Sequence, residues 1–108
     1  MGIAKETLAR NDETGVIIQR QMTLTHADFF RLLPKALEGI DYTVAGDTIH
    51  FSLKEAQAAI TLSPETGRTI GALDLPLTNI RFVFDGVDEE TIREFFERFD
   101  LAYRNGGG

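Results

Sequence analysis

The sequence has no cysteine and no tryptophan, and only three prolines, two histidines and two serines in 108 residues. Without cysteine there is no disulfide, no thiolate metal site and no cysteine nucleophile. Ser52 and Ser63 are the only serines, and neither stands in a G-x-S-x-G turn, which excludes a nucleophile elbow. Glycine loops of the G-x-x-x-x-G-K and G-x-G-x-x-G types are missing, so nothing suggests a phosphate cradle. His26 and His50 fit no H-x-H or H-E-x-x-H spacing, and no metal or other cofactor is expected. Basic residues are outnumbered, 11 against 17 acids, for a net charge of −6, which argues against nucleic acid as a partner. No apolar run is long enough to span a membrane and no signal-peptide core is visible, so the expected location is the cytoplasm with no membrane partner. Met1-Gly2 begins like a myristoylation signal, but Glu6 stands where Ser or Thr is required.

What is present is ordinary globular material, 43% apolar and 26% charged, enough for one domain with one core. Residues 1–14 carry scattered apolar positions and are expected to form a flexible tail with a helical turn near Leu8. Val16, Ile18, Met22 and Leu24 alternate along a strand. Arg20 interrupts that apolar face, which points to an edge strand or one with a wet end. Thr25 and Asp28 mark a helix start. Ala27, Phe29, Phe30, Leu33, Ala36, Leu37 and Ile40 form its apolar stripe. Pro34 predicts a kink, or two short helices meeting near Leu32–Leu33. Gly39 is the stop signal.

Residues 41–53 read as a hairpin turning at Ala45-Gly46-Asp47. Ala58, Ile60 and Leu62 begin a second, with its turn at residues 63–68 and a return from Ile70 to Leu75, ended or bulged by Pro76. Residues 77–85 form the last strand, with Ile80, Phe82 and Phe84 on one face and Arg81, Val83 and Asp85 on the other. Asp88 caps a closing helix whose face is Ile92, Phe95, Phe96, Phe99 and Tyr103. Glu89–Arg93, Glu94–Arg98 and Asp100–Arg104 have the spacing of i,i+4 ion pairs. Asn105 to Gly108 are expected to form a flexible glycine tail.

The element order is β-α-β-β-β-β-β-α. It predicts an α+β domain over residues 15–104, an antiparallel sheet of about six strands with both helices on one face. That order resembles the helix-grip arrangement and the TATA-binding-protein-like arrangement, over about residues 16–104 and without a family motif. The final Gly106-Gly107-Gly108 resembles the end of ubiquitin-like sulfur carriers. Those carriers end in a strand, however, whereas this tail follows a helix, and a frayed terminus is the simpler reading.

The leading functional expectation is a non-catalytic binding or protein-interaction domain, engaging a protein partner or a second copy of itself. The polar sheet face is expected to hold Thr43, Thr48, His50, Ser52, Thr61, Asp74 and Arg81. The contact residues expected are His50, Arg81 and Asp74 there, and Glu90, Glu94 and Glu97 on the acidic helix. The alternative is a carrier or sensor of a small apolar ligand held between the sheet and the C-terminal helix by Phe82, Phe84, Phe95 and Phe99. A catalytic reading would need His50 to converge with Asp74 or Arg81. An enzyme is the less favoured outcome, and no catalytic residue is assigned.

Overall fold

The computed structural model describes residues 3–10 and 15–106. It is an α+β fold in which two helices cover one face of an antiparallel sheet. In chain order the elements are β1 (Ile3–Arg10), β2 (Gly15–Met22), α1 (His26–Ala36), β3 (Tyr42–Ala45), β4 (Thr48–Leu53), β5 (Ala56–Leu62), β6 (Thr66–Ile70), β7 (Leu73–Asp85) and α2 (Glu89–Gly106). The sheet runs β1-β2-β7-β5-β4-β3, with β6 paired to the first part of β7.

Strict alternation explains why the sheet has one wet and one dry face. Along β7 from Thr78 to Asp85 every second residue is buried, and β4 and β5 repeat the pattern. The inward positions Val16, Ile18, Ile49, Phe51, Ala58, Ile60, Ile80, Phe82 and Phe84 join Phe29, Leu33 and Ala36 of α1 and Phe95, Phe96, Phe99 and Tyr103 of α2 in one core. The aromatic rings pack against one another, Phe82 lying 4.8 Å from Phe96 and 5.2 Å from Phe99 between centroids, and Phe29 stacking on Tyr103 at 5.3 Å. The Tyr103 hydroxyl donates to the Phe29 carbonyl oxygen at 2.7 Å, which ties α2 to α1. Burial pushes its ionisation above the ordinary tyrosine range.

The helix starts behave as their sequences require. Thr25 accepts from the Asp28 N–H at 3.0 Å, and Asp88 accepts from the Thr91 N–H at 2.8 Å. The Thr91 hydroxyl and N–H, helped by Lys54, hold the Asp88 carboxyl below its ordinary range. The β3–β4 turn falls at Gly46-Asp47, with Gly46 at φ +64°.

Five expectations are corrected. The expected tail contains β1, which pairs with β2 from Ile3↔Met22 to Arg10↔Val16. The outer edge of β2 has a full row of backbone groups to satisfy, and that demand recruits a segment whose own apolar pattern is weak. The sequence Asn11-Asp12-Glu13-Thr14-Gly15 reads as a loop; its first four residues, like the last two glycines, lie outside the described residues, and Gly15 is the first residue of β2.

β2 is consequently not an edge strand, and Arg20 is not wet. It is 6% exposed. Its guanidinium lies 4.1 Å from the Phe96 ring centroid and donates to Asp100 at 2.5 and 3.3 Å. A single helix α1 runs through Pro34. The proline removes one ladder bond, since it has no N–H to donate to the carbonyl of Phe30 four residues back, and the helix ends two residues later at Ala36. The second hairpin turns at Gly71, not at residues 63–68, and β7 continues through Pro76. Pro76 is tolerated because residues 73–77 have only β6 beside them, so the ladder does not need every N–H. Finally, α2 extends through Asn105 and Gly106.

Candidate interaction face

Among the described residues, no element covers the face of the sheet opposite the helices. From β2 to β3 its outward residues are Ile17, Gln19 and Gln21 on β2; Asn79, Arg81, Val83 and Asp85 on β7; Gln57, Ala59 and Thr61 on β5; Thr48, His50 and Ser52 on β4; and Thr43 and Ala45 on β3. The register sorts them into rows. His50, Ala59, Val83 and Ile17 form the middle row, in which Ala59, Val83 and Ile17 are half-buried. On one side lie Thr48, Thr61, Arg81 and Gln19, and on the other Ser52, Gln57, Asp85 and Gly15. An apolar stripe therefore crosses the face between two polar rows.

Charge is sparse here. Among these described positions only Arg81 and Asp85 carry a full charge, whereas 26% of the whole chain is charged. Loss of charge around a small apolar centre is the compositional mark of an interface. Cross-strand polar contacts order the surroundings, with the Thr48 and Thr61 hydroxyls 3.4 Å apart and Gln21 Nε2 donating to Asn79 Oδ1 at 3.3 Å. Beside the stripe a shallow depression of about 450 Å³ is lined by Gln19, Gln21, Thr61, Ser63, Asn79 and Arg81.

The six expected contact residues do not form one surface. His50 and Arg81 share the open face, but β5 separates their strands and the register offsets them, about 12 Å between Cα atoms. Asp74 is not on the sheet face at all. It lies on the β6–β7 ribbon beyond the body of the sheet, accepting from the Thr69 hydroxyl at 2.8 Å. His50, Asp74 and Arg81 thus do not converge, which removes the geometry a catalytic reading needs. Glu90, Glu94 and Glu97 lie exposed on α2, with Arg93 bridging Glu90 at 2.6 Å and Glu97 at 2.9 Å. The anticipated ladder of ion pairs is rearranged further. Arg98 donates to the Glu38 carbonyl oxygen, and Asp100 reaches across to Arg20.

The four phenylalanines expected to line a ligand space are packed into the core. Phe82, Phe84 and Phe99 are fully buried and Phe95 nearly so. Phe95 contacts Phe82 at 6.2 Å, Phe84 at 5.6 Å and Phe99 at 5.6 Å between centroids. Phe95 lines a cleft of about 420 Å³ between the end of α1, the end of β4 and α2. Its floor is Ala36, Ile40, Leu53 and Phe95, and its rim includes Asp41, Lys54, Glu94 and Arg98.

His26 is a structural clasp. A carbonyl can only accept, so its Nε2 donates to Ser63 O, at 2.7 Å, while Nδ1 stands 3.9 Å from the Asp47 carboxylate. The His26 backbone N–H donates to Glu65 at 2.7 Å. Both ring nitrogens are thus turned toward neighbouring loops. Among the described residues no group of three His, Asp or Glu side chains is placed to hold a metal ion. Nor is any helix long and apolar enough to cross a membrane.

Alternation along each strand places Ile17 with Gln19 and Gln21, and Val83 with Arg81 and Asp85, on the outward side, as the structure has them; what sequence reasoning missed is that the two share one row, which takes the pairing of β2 with β7. No protein-family model matches the chain, and no curated protein matches it.

Proposed function

We propose that this chain is a non-catalytic protein-interaction module that docks its partner on the open face of the sheet. The observation that carries the reading is the half-buried row of Ala59, Val83 and Ile17, set between polar rows with one Arg and one Asp. A sheet is stable with one face wet, so coverage by a partner is not required for folding. What distinguishes this face from plain solvated sheet is its depletion in charge beside the strongly charged exposed side of α2. The cysteine-free, acidic composition suits a reducing cytoplasm.

A photo-crosslinking residue at Thr61, with Glu97 on α2 as the control position, tests this in the cells that make the protein. Discrete adducts from position 61 and none from position 97 support the reading. Adducts only from position 97, or from neither position, refute it.

The second reading is a small-molecule carrier, favoured by the cleft of about 420 Å³ and its apolar floor. It predicts, in native mass spectrometry of the purified protein, an added mass that is lost on denaturation. A bare chain mass would leave this reading without support.

A further inference from the structure

We infer that the partner of the open face is an acidic, apolar segment of another protein, which lays its apolar side chains on the β6–β7 ribbon and its carboxylates on Arg68 and Arg81. This rests on the interaction reading above, extends the docking surface onto the ribbon and names the chemistry of what docks there.

The ribbon is two strands wide, Thr66–Ile70 against residues 73–77, and among the described residues no third strand lies beside it. Such a ribbon is marginal by itself, because it has little apolar surface to bury. Its tip is nonetheless apolar. Ile70 and Leu73 are ladder partners, 50% and 62% exposed, so their side chains stand together in solvent. Leu75, half-buried, follows on the same side of β7. The next ladder pair, Thr69 and Asp74, is turned the other way and bonded to itself at 2.8 Å. β7 runs unbroken from Leu73 to Asp85, and alternation gives Leu73, Leu75 and Leu77 the same side as Asn79, Arg81 and Val83. The exposed leucines thus continue the apolar positions of the open face.

The open charge along this side has one sign. Arg68, the ladder partner of Leu75, and Arg81 are both exposed, and among the described residues neither has an ion pair or a hydrogen bond. Asp85, on the same side, has an interaction of its own, and Asp74 is turned away. Acids outnumber bases 17 to 11 in the chain, yet none answers these two guanidiniums. An unanswered guanidinium is a fork for a carboxylate, which it binds through two parallel bonds. The depression beside Arg81 adds the amides of Gln19 and Asn79 and holds no acid to compete. Apolar side chains set between two free cations call for a partner that is apolar and negatively charged. Leu75 and Arg81 are six residues apart on β7, about 20 Å. That distance is spanned by about six residues of an extended segment, or about thirteen of a helix.

The full chain with the photo-crosslinking residue at Thr61 identifies the partner and its contacting segment from the adduct. The purified partner is then titrated with the native chain and its variants. Arg68→Glu and Arg81→Glu each weaken binding about tenfold or more, and Leu73→Ser about tenfold. Leu101→Ser, at an apolar residue of α2 that is 52% exposed, leaves it unchanged. Reversing the partner's carboxylate to a lysine restores binding to the Arg81→Glu chain, to within about threefold of the native pair.

Binding indifferent to the two reversals or to Leu73→Ser overturns the proposal. So does a captured segment without Asp or Glu, an adduct of twice the chain's own mass, or a partner reversal that fails to restore binding. In each of these cases the adduct from position 61 leaves the interaction reading standing. If position 61 yields no adduct, both fall.

Discussion

The turn between β4 and β5 is built from the wrong residues for its shape, and this makes a quantitative prediction. Lys54 and Glu55 connect Leu53 to its ladder partner Ala56, at φ +50° and +71°. A two-residue hairpin loop with both angles positive favours Asn-Gly, since a β-carbon in this region meets its own backbone. Each residue pays about 1 kcal/mol for that conformation, and glycine returns about half of its gain as lost chain entropy. Glu55→Gly should therefore stabilise by about 0.5–1 kcal/mol, and Lys54→Asn with Glu55→Gly by about 1–2 kcal/mol. Lys54 also supports the Asp88 carboxylate, and this trims the gain from replacing it. For a chain of this size 1 kcal/mol corresponds to about 4 °C in Tm. Urea denaturation of the native chain, Glu55→Gly, the double variant and Glu55→Ala measures the effect. Alanine still carries a β-carbon, so Glu55→Ala gains nothing if conformation is the cause. Equal gains from Ala and Gly would refute the reasoning, and so would a glycine variant no more stable than the native chain.

Three further predictions concern the ties between elements. The side chain of Arg20 is 5% exposed and that of Asp100 25%, so the two ends of this ion pair are unequal. Asp100→Ala takes one carboxylate from a buried guanidinium that keeps its other contacts and costs about 2–3 kcal/mol, whereas Arg20→Met leaves a carboxylate that can hydrate and costs under about 1.5 kcal/mol; equal losses in denaturation would contradict this. Tyr103→Phe deletes the bond to the Phe29 carbonyl and costs about 1 kcal/mol with the core otherwise intact, and a neutral substitution would deny that tie. Asp88 has a folded-state pKa below its ordinary value of 3.8, so its charge stabilises the fold above that value and the benefit is lost as pH falls through the lower folded value. The stability gap between the native chain and Asp88→Ala, measured by denaturation, should thus be widest near neutral pH and shrink in acid; a gap independent of pH would contradict the assignment.

The parts of the fold legible in the sequence were those with strong local signals. Thr25, Asp88 and Gly46 mark two helix starts and a turn by their own chemistry, and alternation assigned Ile80, Phe82 and Phe84 to the core side of β7. The parts that were not legible depend on partners distant in the chain. β1 has little apolar signal of its own and becomes a strand because β2 offers an edge. Arg20 read as a break in the apolar face because its partner is 80 residues away on α2. Asp100 was assigned to Arg104 for the same reason, local spacing being visible and tertiary pairing not. The open face was half legible. Its hydroxyl and amide residues alternate plainly, but placing Ile17 and Val83 in one row required the pairing of β2 with β7. Asp74 was misplaced because the turn at Gly71 sets how far the ribbon extends, and a Pro-Gly turn at residues 63–68 was the stronger local signal.

The measurement that bears most directly on the central claim is site-resolved photo-crosslinking in the cells that make the protein, with the probe at Thr61 on the open face and, separately, at Glu97 on α2. The account predicts discrete protein adducts from position 61 and none from position 97. Adducts only from position 97, or from neither position, would contradict it.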